Sequence, residues 1–176
     1  HMVDSFRDYA RLPPANLMAL DLNELLRDML VLYESSKTPI RAALASDLPR
    51  IKGDPTQLRQ IIHNLIRNAQ DATEGLADPC IDVMTSATGK QVLLVIADNG
   101  AGFPPEIMAN AFEPYVTTKP KGTGLGLPIV KKIIEEHGGK IALGNREAGG
   151  AEIRISFLVA EEMESPNQES QKSVGA

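Results

Sequence analysis

The run QLRQIIHNLIRNAQDA at residues 57–72 constrains the fold more than any other stretch of the chain. Leu58, Ile61, Ile62, Leu65, Ile66, Ala69 and Ala72 recur at helical spacing and form one apolar stripe, while Asn64, Asn68 and Asp71 share another face. That division predicts a core helix with a polar ridge. Its start is marked: Asp54 suits the N-cap, Pro55 the first helical position, and Gln57 stands where the third residue of a capping box reaches back. Asn64 and Asn68, one turn apart, present amide oxygens that suit a hard cation such as Mg²⁺, which takes oxygen ligands and keeps positions for water and phosphate. Taken alone, such a pair is usually no more than a solvated helix face.

The rest of the pattern supplies a sheet for this helix to cover. Residues 6–14, FRDYARLPP, read as the last turns of a helix stopped by Pro13 and Pro14. A short extended link follows, then helical periodicity from Leu20 to Tyr33 with Asp21 as its cap. Residues 40–45 read as a strand, 48–53 lead into the asparagine helix, and Gly75 closes it. Residues 81–87 and 92–97 form a hairpin about Thr88, Gly89 and Lys90, and Asp98 closes its second strand. Residues 99–123 are punctuated by glycine and proline, with one short helical pattern at 104–110; a connection of that length is usually a functional loop or lid. Leu125, Ile129, Val130, Ile133 and Ile134 mark another helix, ended by Gly138 and Gly139. Residues 140–143 and 151–158 close the pattern as strands about a turn at 145–150. The sum predicts an α+β two-layer sandwich, a mixed sheet covered on one face by about three helices, with the other face partly solvated.

Composition removes several function classes. The 176 residues fit one domain with short appendages, and a net charge of −5 offers no basic footprint for nucleic acid. A lone cysteine, Cys80, cannot form an internal disulfide and is expected as a buried structural thiol. No apolar run reaches membrane-spanning length and no signal-peptide pattern appears, which predicts a cytoplasmic polypeptide. The polar tail at 161–176 is expected to be disordered.

Two further stretches carry chemistry. Asp98-Asn99-Gly100-Ala101-Gly102 puts a carboxylate at a strand end, followed by glycines that let backbone approach a ligand. It is either an ordinary turn or an acceptor for an exocyclic amine such as adenine presents. Gly122-Thr123-Gly124-Leu125-Gly126 opens the Leu125 helix, where backbone N–H groups and the helix dipole make a phosphate cradle. Its GxGxG spacing after a loop is not a Rossmann fingerprint, and no GxxxxGK[ST] run occurs. Lys119 and Lys121, just upstream, could meet phosphate charge.

The order N-L-x-x-N-A, D-x-G-x-G, F-E-P-Y and G-T-G-L-G-L, within residues 20–158, resembles the ATP-binding catalytic domain of bacterial sensor histidine kinases. The resemblance implies the Bergerat fold shared with gyrase, heat-shock chaperone and mismatch-repair ATPases, with ATP and Mg²⁺ as cofactors. It assigns Asn64 and Asn68 to the N box, with Asn68 the favoured Mg²⁺ ligand, and Asp98, Gly100 and Gly102 to the G1 box around adenine. Phe112, Pro114 and Tyr115 match the F box, and Gly122, Gly124 and Gly126 the G2 box at the phosphates. Thr117, Thr118, Lys119, Thr123 and Leu125 complete the implied nucleotide contacts, with Asn68 and Lys119 as the catalytic pair. The FRDYARLP opening and short lid are similar to the NtrY- or NtrB-like nitrogen-regulation subgroup.

Members of that superfamily that hydrolyse ATP carry a glutamate base one turn before the metal-binding asparagine; here Asn64 stands there, and an amide cannot take the proton. Transfer to another acceptor is the expected reaction. None of the three histidines fits the family's phosphoacceptor: His1 reads as part of a cloning scar at residues 1–2, and His63 and His137 as surface or packing residues. Residues 3–19 are therefore expected as the end of a truncated dimerisation helix plus linker, and 20–160 as the catalytic domain. Expected partners are the dimerisation and phosphoacceptor domain of the same kinase and a response regulator, with the chain itself monomeric and unable to phosphorylate itself. Alternatives are a serine kinase of the same fold or a module that has lost nucleotide binding.

Overall fold

The computed structural model describes residues 7, 10–117, 119, 124 and 126–160. The tail at 161–176, and Thr118, Lys121, Gly122, Thr123 and Leu125 of the expected site, lie outside the described residues. In chain order the elements are β1 (Met18–Leu20), α1 (Leu22–Leu30) with a 3-10 turn at Val31–Tyr33, β2 (Ile40–Ala43), β3 (Ile51–Gly53) and α2 (Pro55–Ala72). They continue with β4 (Ile81–Thr88), β5 (Gln91–Asp98), α3 (Pro105–Asn110), α4 (Gly126–Glu136), β6 (Lys140–Asn145) and β7 (Ala151–Leu158).

Local chemistry sets the ends of the asparagine helix. Asp54 Oδ1 accepts the N–H groups of Thr56 at 2.9 Å and Gln57 at 3.2 Å, so the expected N-cap forms. The reciprocal half of the capping box does not. Gln57 Nε2 donates instead to the Pro13 carbonyl at 2.9 Å, and the Asp54 N–H goes to His137 Nε2 at 3.0 Å. Tertiary partners at the exit of α4 and on the incoming segment outcompete the local bond. At the other end Thr73 caps the helix and Gly75 turns the chain with φ +81°.

Two departures from the sequence pattern have visible causes. Residues 18–20, read as a link running into a helix, form β1 and pair antiparallel with β3, from Met18 opposite Gly53 to Leu20 opposite Ile51. The strand expected at 40–45 ends at Ala43, because the Ala45 N–H leaves the ladder for Thr85 Oγ1 at 3.0 Å. Thr85 in turn donates to Asn23 Oδ1 at 2.8 Å, and Asn23 Nδ2 to the Ala45 carbonyl at 2.7 Å. This buried polar knot ties α1 to the sheet with its partners matched.

The main sheet has the order β2-β4-β5-β7-β6. β2 runs parallel to β4, and every other neighbouring pair is antiparallel, so the sheet is mixed as expected. A bridge between Ile51 and Val159 joins the small β1–β3 pair to the end of β7. Alternation along the strands sends Val83, Leu94, Ile96, Ile155 and Phe157 into one core with α1, α2 and α4. Asp82, Met84, Leu93 and Arg154 stay half-buried or exposed on the opposite face. Each fully buried Leu, Ile or Phe contributes roughly 1.5–3 kcal/mol, so the seam between helices and sheet dominates stability. Cys80 is half-buried, not buried as expected: it precedes β4, and its Sγ lies 3.9 Å from the Ile81 carbonyl. Among the described residues no helix is long and apolar enough to cross a membrane.

Candidate functional site

The polar ridge of α2 lies at the rim of the helix layer. Asn64 and Asn68 are half-buried and Asp71 is exposed. Sequence places Lys119 on a loop facing phosphate; in the structure its ammonium bridges the ridge. Nζ donates to Asn68 Oδ1 at 3.1 Å and to Asp71 Oδ2 at 2.7 Å. The Lys119 N–H donates to Thr117 Oγ1 at 3.0 Å, which shapes the loop locally. Asp71 shares the ridge in the sequence pattern but carries no assigned role there; its i, i+3 spacing from Asn68 is the signal that marks it.

The start of α4 faces the same ridge. A Cβ built on Gly126 would lie 3.9 Å from Asn68 Nδ2. Gly124, at φ +69°, accepts the Tyr115 N–H at 3.0 Å through its carbonyl, and a Cβ there would come within 2.5 Å of Tyr115 Cα. Glycine is needed at this position for both conformation and space. The F-E-P-Y run is thus tied by its backbone to the approach to α4. Tyr115 itself adopts φ +68°.

Asp98 ends β5 and is 5% exposed. Its Oδ1 accepts the N–H groups of Gly100 at 2.8 Å and Ala151 at 3.3 Å. Gly100 packs against the carbonyl of Ala72 with no room for a side chain, so the Asp98 loop abuts the C-terminal end of the helix that carries Asn68. Gly102, at φ +79°, lies against the Asn145 side chain. Asn145 clamps the loop from the end of β6: Oδ1 accepts the Phe103 N–H at 2.7 Å and Nδ2 donates to the Phe103 carbonyl at 2.9 Å. Arg146 Nη1 donates to Asp82 Oδ2 at 3.1 Å and reaches the Asp98 carbonyl at 3.5 Å. Arg41 completes this support with bonds of 2.7 and 3.1 Å to Asp82, holding that carboxyl below the usual carboxylate range. Asn145, Arg146 and Asp82 carry no local sequence signal, since their partners lie 41 to 64 residues away.

The structure therefore brings together Asn68, Lys119 and Gly126 on one side, and Asp98, Gly100 and the end of α2 on the other. Phe112 is not part of either group among the described residues: its ring lies under Lys131 Nζ, 5.2 Å from the centroid. The two internal histidines are structural, as their context implies. His63 Nδ1 lies 2.6 Å from the Tyr33 hydroxyl. His137 is 4% exposed and engages both ring nitrogens, with Nδ1–H donating to the Ile133 carbonyl at 2.7 Å and Nε2 accepting from Asp54. No cluster of three or more His, Cys, Asp or Glu suited to a metal occurs among the described residues, so the ridge offers amide oxygens and a single carboxylate.

Comparison with known proteins bears on the family and the fold. Residues 53–161, well over half of the chain, match the family described as histidine kinase-, DNA gyrase B-, and HSP90-like ATPase. An NtrY-like sensor histidine kinase of Rickettsia bellii is 36% identical over 163 residues, covering 92% of this chain and 27% of the relative. The chain thus spans about a quarter of the length of the curated relatives it matches. The catalytic domain of histidine kinase ThkA, nucleotide-free, superposes with a TM-score of 0.74 at 32% identity, covering 82% of this chain and 96% of that one. ThkA in complex with response regulator protein TrrA gives a TM-score of 0.75 at 30% identity, over 90% and 46% of the two chains. Full-length ShkA in complex with AMPPNP gives 0.77 at 32% identity, over 90% and 36%. With residues 53–161 matched by its model, the chain belongs to the histidine kinase-, DNA gyrase B-, and HSP90-like ATPase family.

Proposed function

We propose that this chain is the ATP-binding catalytic domain of an NtrY-like sensor histidine kinase, which transfers the ATP γ-phosphoryl group to a histidine on a dimerisation domain for relay to a response regulator. The observation that carries the reading is the buried Asp98 carboxylate. Two backbone amides fix it through Oδ1, and among the described residues no hydrogen bond engages Oδ2. That oxygen is the acceptor for the adenine amine, and a base without a donor there leaves it unpaired. Gly100 and Gly102 let the loop after Asp98 pack on the Ala72 carbonyl and the Asn145 side chain, which holds the carboxylate in place for the purine. The phosphates fall toward the N-terminus of α4, where Gly126 faces Asn68 and unpaired helical N–H groups favour anions.

The ridge fits a cation, because the Lys119 ammonium is held there by Asn68 Oδ1 and Asp71 Oδ2. Asn68, with Asn64 one turn earlier, would hold Mg²⁺, which supplies neutralisation of phosphate charge when bound. Asn64 has no basicity to activate water, so ATP is held for an external nucleophile instead of being hydrolysed. His63 and His137 are engaged within the fold, and the acceptor imidazole comes from another domain. Catalysis here is mainly positioning and electrostatic, with Lys119 and the α4 amides on the phosphates.

Calorimetric titration with ATP in Mg²⁺ and then in EDTA, with GTP as control, tests the binding half. Selective, metal-enhanced ATP binding is expected, and equal affinity for GTP would refute the role of Asp98. Adding a histidine-bearing dimerisation domain and [γ-³²P]ATP tests transfer; label incorporated stoichiometrically into the isolated chain would refute the external acceptor.

A further inference from the structure

Lys119 makes an unusual choice of partners for a residue expected at phosphates. Its ammonium sits on the two oxygens that a cation at the α2 ridge would use, 3.1 Å from Asn68 Oδ1 and 2.7 Å from Asp71 Oδ2. Both side chains of the ion pair are about half exposed, 41% and 45%, so the contact is reversible and cheap to break. Asp71 lies one turn beyond Asn68 on the same face, and it is the only carboxylate among Asn64, Asn68 and Asp71. A divalent ion at Asn68 would share this face with a single negative charge already neutralised by lysine. Two cations cannot occupy so small a space without repulsion of the order that isolated like charges show at such distances.

We propose that Asp71 is a further member of the metal site and that Lys119 is its built-in competitor: the ammonium and Mg²⁺ exchange on the Asn68–Asp71 oxygen pair. The inference rests on the ATP·Mg²⁺ reading above and adds to it a second oxygen donor and an order of events. In the nucleotide-free chain Lys119 neutralises Asp71 and weakens the hold of the Asn68–Asp71 oxygen pair on metal. As Mg²⁺ arrives with the triphosphate, Lys119 leaves the ridge and its charge becomes available to the phosphate oxygens. Lysine is suited to this exchange because its single, flexible point charge forms no bidentate lock on the carboxylate. Metal loading and the recruitment of Lys119 to nucleotide become one event, and the empty chain holds free divalent ion about threefold more weakly than it would without the lysine.

The test is a titration of the full chain with Mn²⁺ alone, followed by the electron paramagnetic resonance signal of the free ion. Lys119→Gln is expected to tighten Mn²⁺ binding by about threefold, in the range of a half-exposed ion pair. Asp71→Asn weakens it below wild type, and the double variant binds no better than Asp71→Asn alone. Thermal midpoints show that each variant is folded. Equal Mn²⁺ affinity in wild type and Lys119→Gln, or undetectable binding by Lys119→Gln, overturns the competition; unchanged affinity in Asp71→Asn overturns the added ligand. Calorimetry of wild type with Mg²⁺ and ATP, run alongside, separates the two levels. Loss of that binding would sink the kinase reading itself, whereas intact binding with unaltered Mn²⁺ affinities would sink only the exchange.

Discussion

Asp98→Asn separates the structural role of this residue from its proposed role in base recognition. The amide keeps an oxygen for the Gly100 and Ala151 N–H groups, at 2.8 and 3.3 Å, but removes the charge that strengthens both bonds. A charged acceptor is worth about 1.5–3 kcal/mol against about 0.5–1.5 kcal/mol for a neutral one. The second bond is long, so the expected loss of stability is about 1–1.5 kcal/mol, a fall in Tm of about 3–5 °C for a domain of this size. Binding suffers more. With the oxygen held by the backbone, the amide nitrogen replaces Oδ2 and points a donor at the donor of adenine. Losing the acceptor and stranding a buried donor costs about 2–4 kcal/mol, roughly 30- to 1000-fold in Kd. Isothermal calorimetry with ATP, at a temperature where melting curves show the variant folded, reads this directly. An ATP Kd within about threefold of wild type would refute the assignment of Oδ2 to the adenine amine.

Other perturbations test the scaffold around the site. Gly100→Ala drives a methyl into the Ala72 carbonyl, which is backbone and cannot rotate away; it is expected to cost about 1–3 kcal/mol in chemical denaturation. A change within about 0.5 kcal/mol would show that the loop and helix end are not in firm contact. His137→Ala strands the Asp54 N–H and opens a cavity between α4 and the start of α2, so a loss of about 2–3 kcal/mol in the same assay is expected. Asp54 titrates below the usual 3.8, led by the Asn16 N–H and helped by those of Gln57 and Thr56. A depressed carboxyl stabilises the fold above its unfolded pKa and loses that contribution as pH falls through the folded value. Urea midpoints of wild type should therefore drop below about pH 4 more steeply than those of Asp54→Asn; parallel acid limbs would refute the linkage.

Much of this was legible because its causes are local. The Asp54-Pro55 start, the apolar stripe to Ala69, the Gly89 hairpin and the Gly138-Gly139 exit each depend on neighbours within a turn or two, and each stands in the structure where the pattern puts it; Ala72, expected in the stripe, is exposed at the end of the helix. The three-residue strand β1 was not legible, since it has too few residues to alternate and is a strand only because β3 lies beside it. The same holds within the site. Asp98 and Asn68 are marked by their own context, but the Lys119–Asp71 contact spans 48 residues and depends on how the loop folds back over α2. Asn145 and Arg146 look like ordinary turn residues until their partners at Phe103 and Asp82 are known. Phe112 satisfies its motif in sequence while its ring is turned to Lys131.

The parallel pairing of β2 with β4 has a consequence for how the molecule forms. Parallel neighbours cannot be joined by a tight turn, and here the crossover is the whole of residues 44–80, including β3 and α2. The ladder from Ile40 opposite Ile81 to Ala43 opposite Met84 therefore closes a long loop that contains α2. Such non-local closure is late and slow compared with the β4–β5 hairpin. Because the helix that spans the crossover also carries Asn68, a ligand of the ridge meets its full set of contacts only on chains whose sheet is complete. Its binding adds RT ln(1 + [L]/Kd) to the stability of the entire fold, and a nucleotide-dependent rise in the unfolding midpoint becomes a measure of folded molecules as much as of affinity.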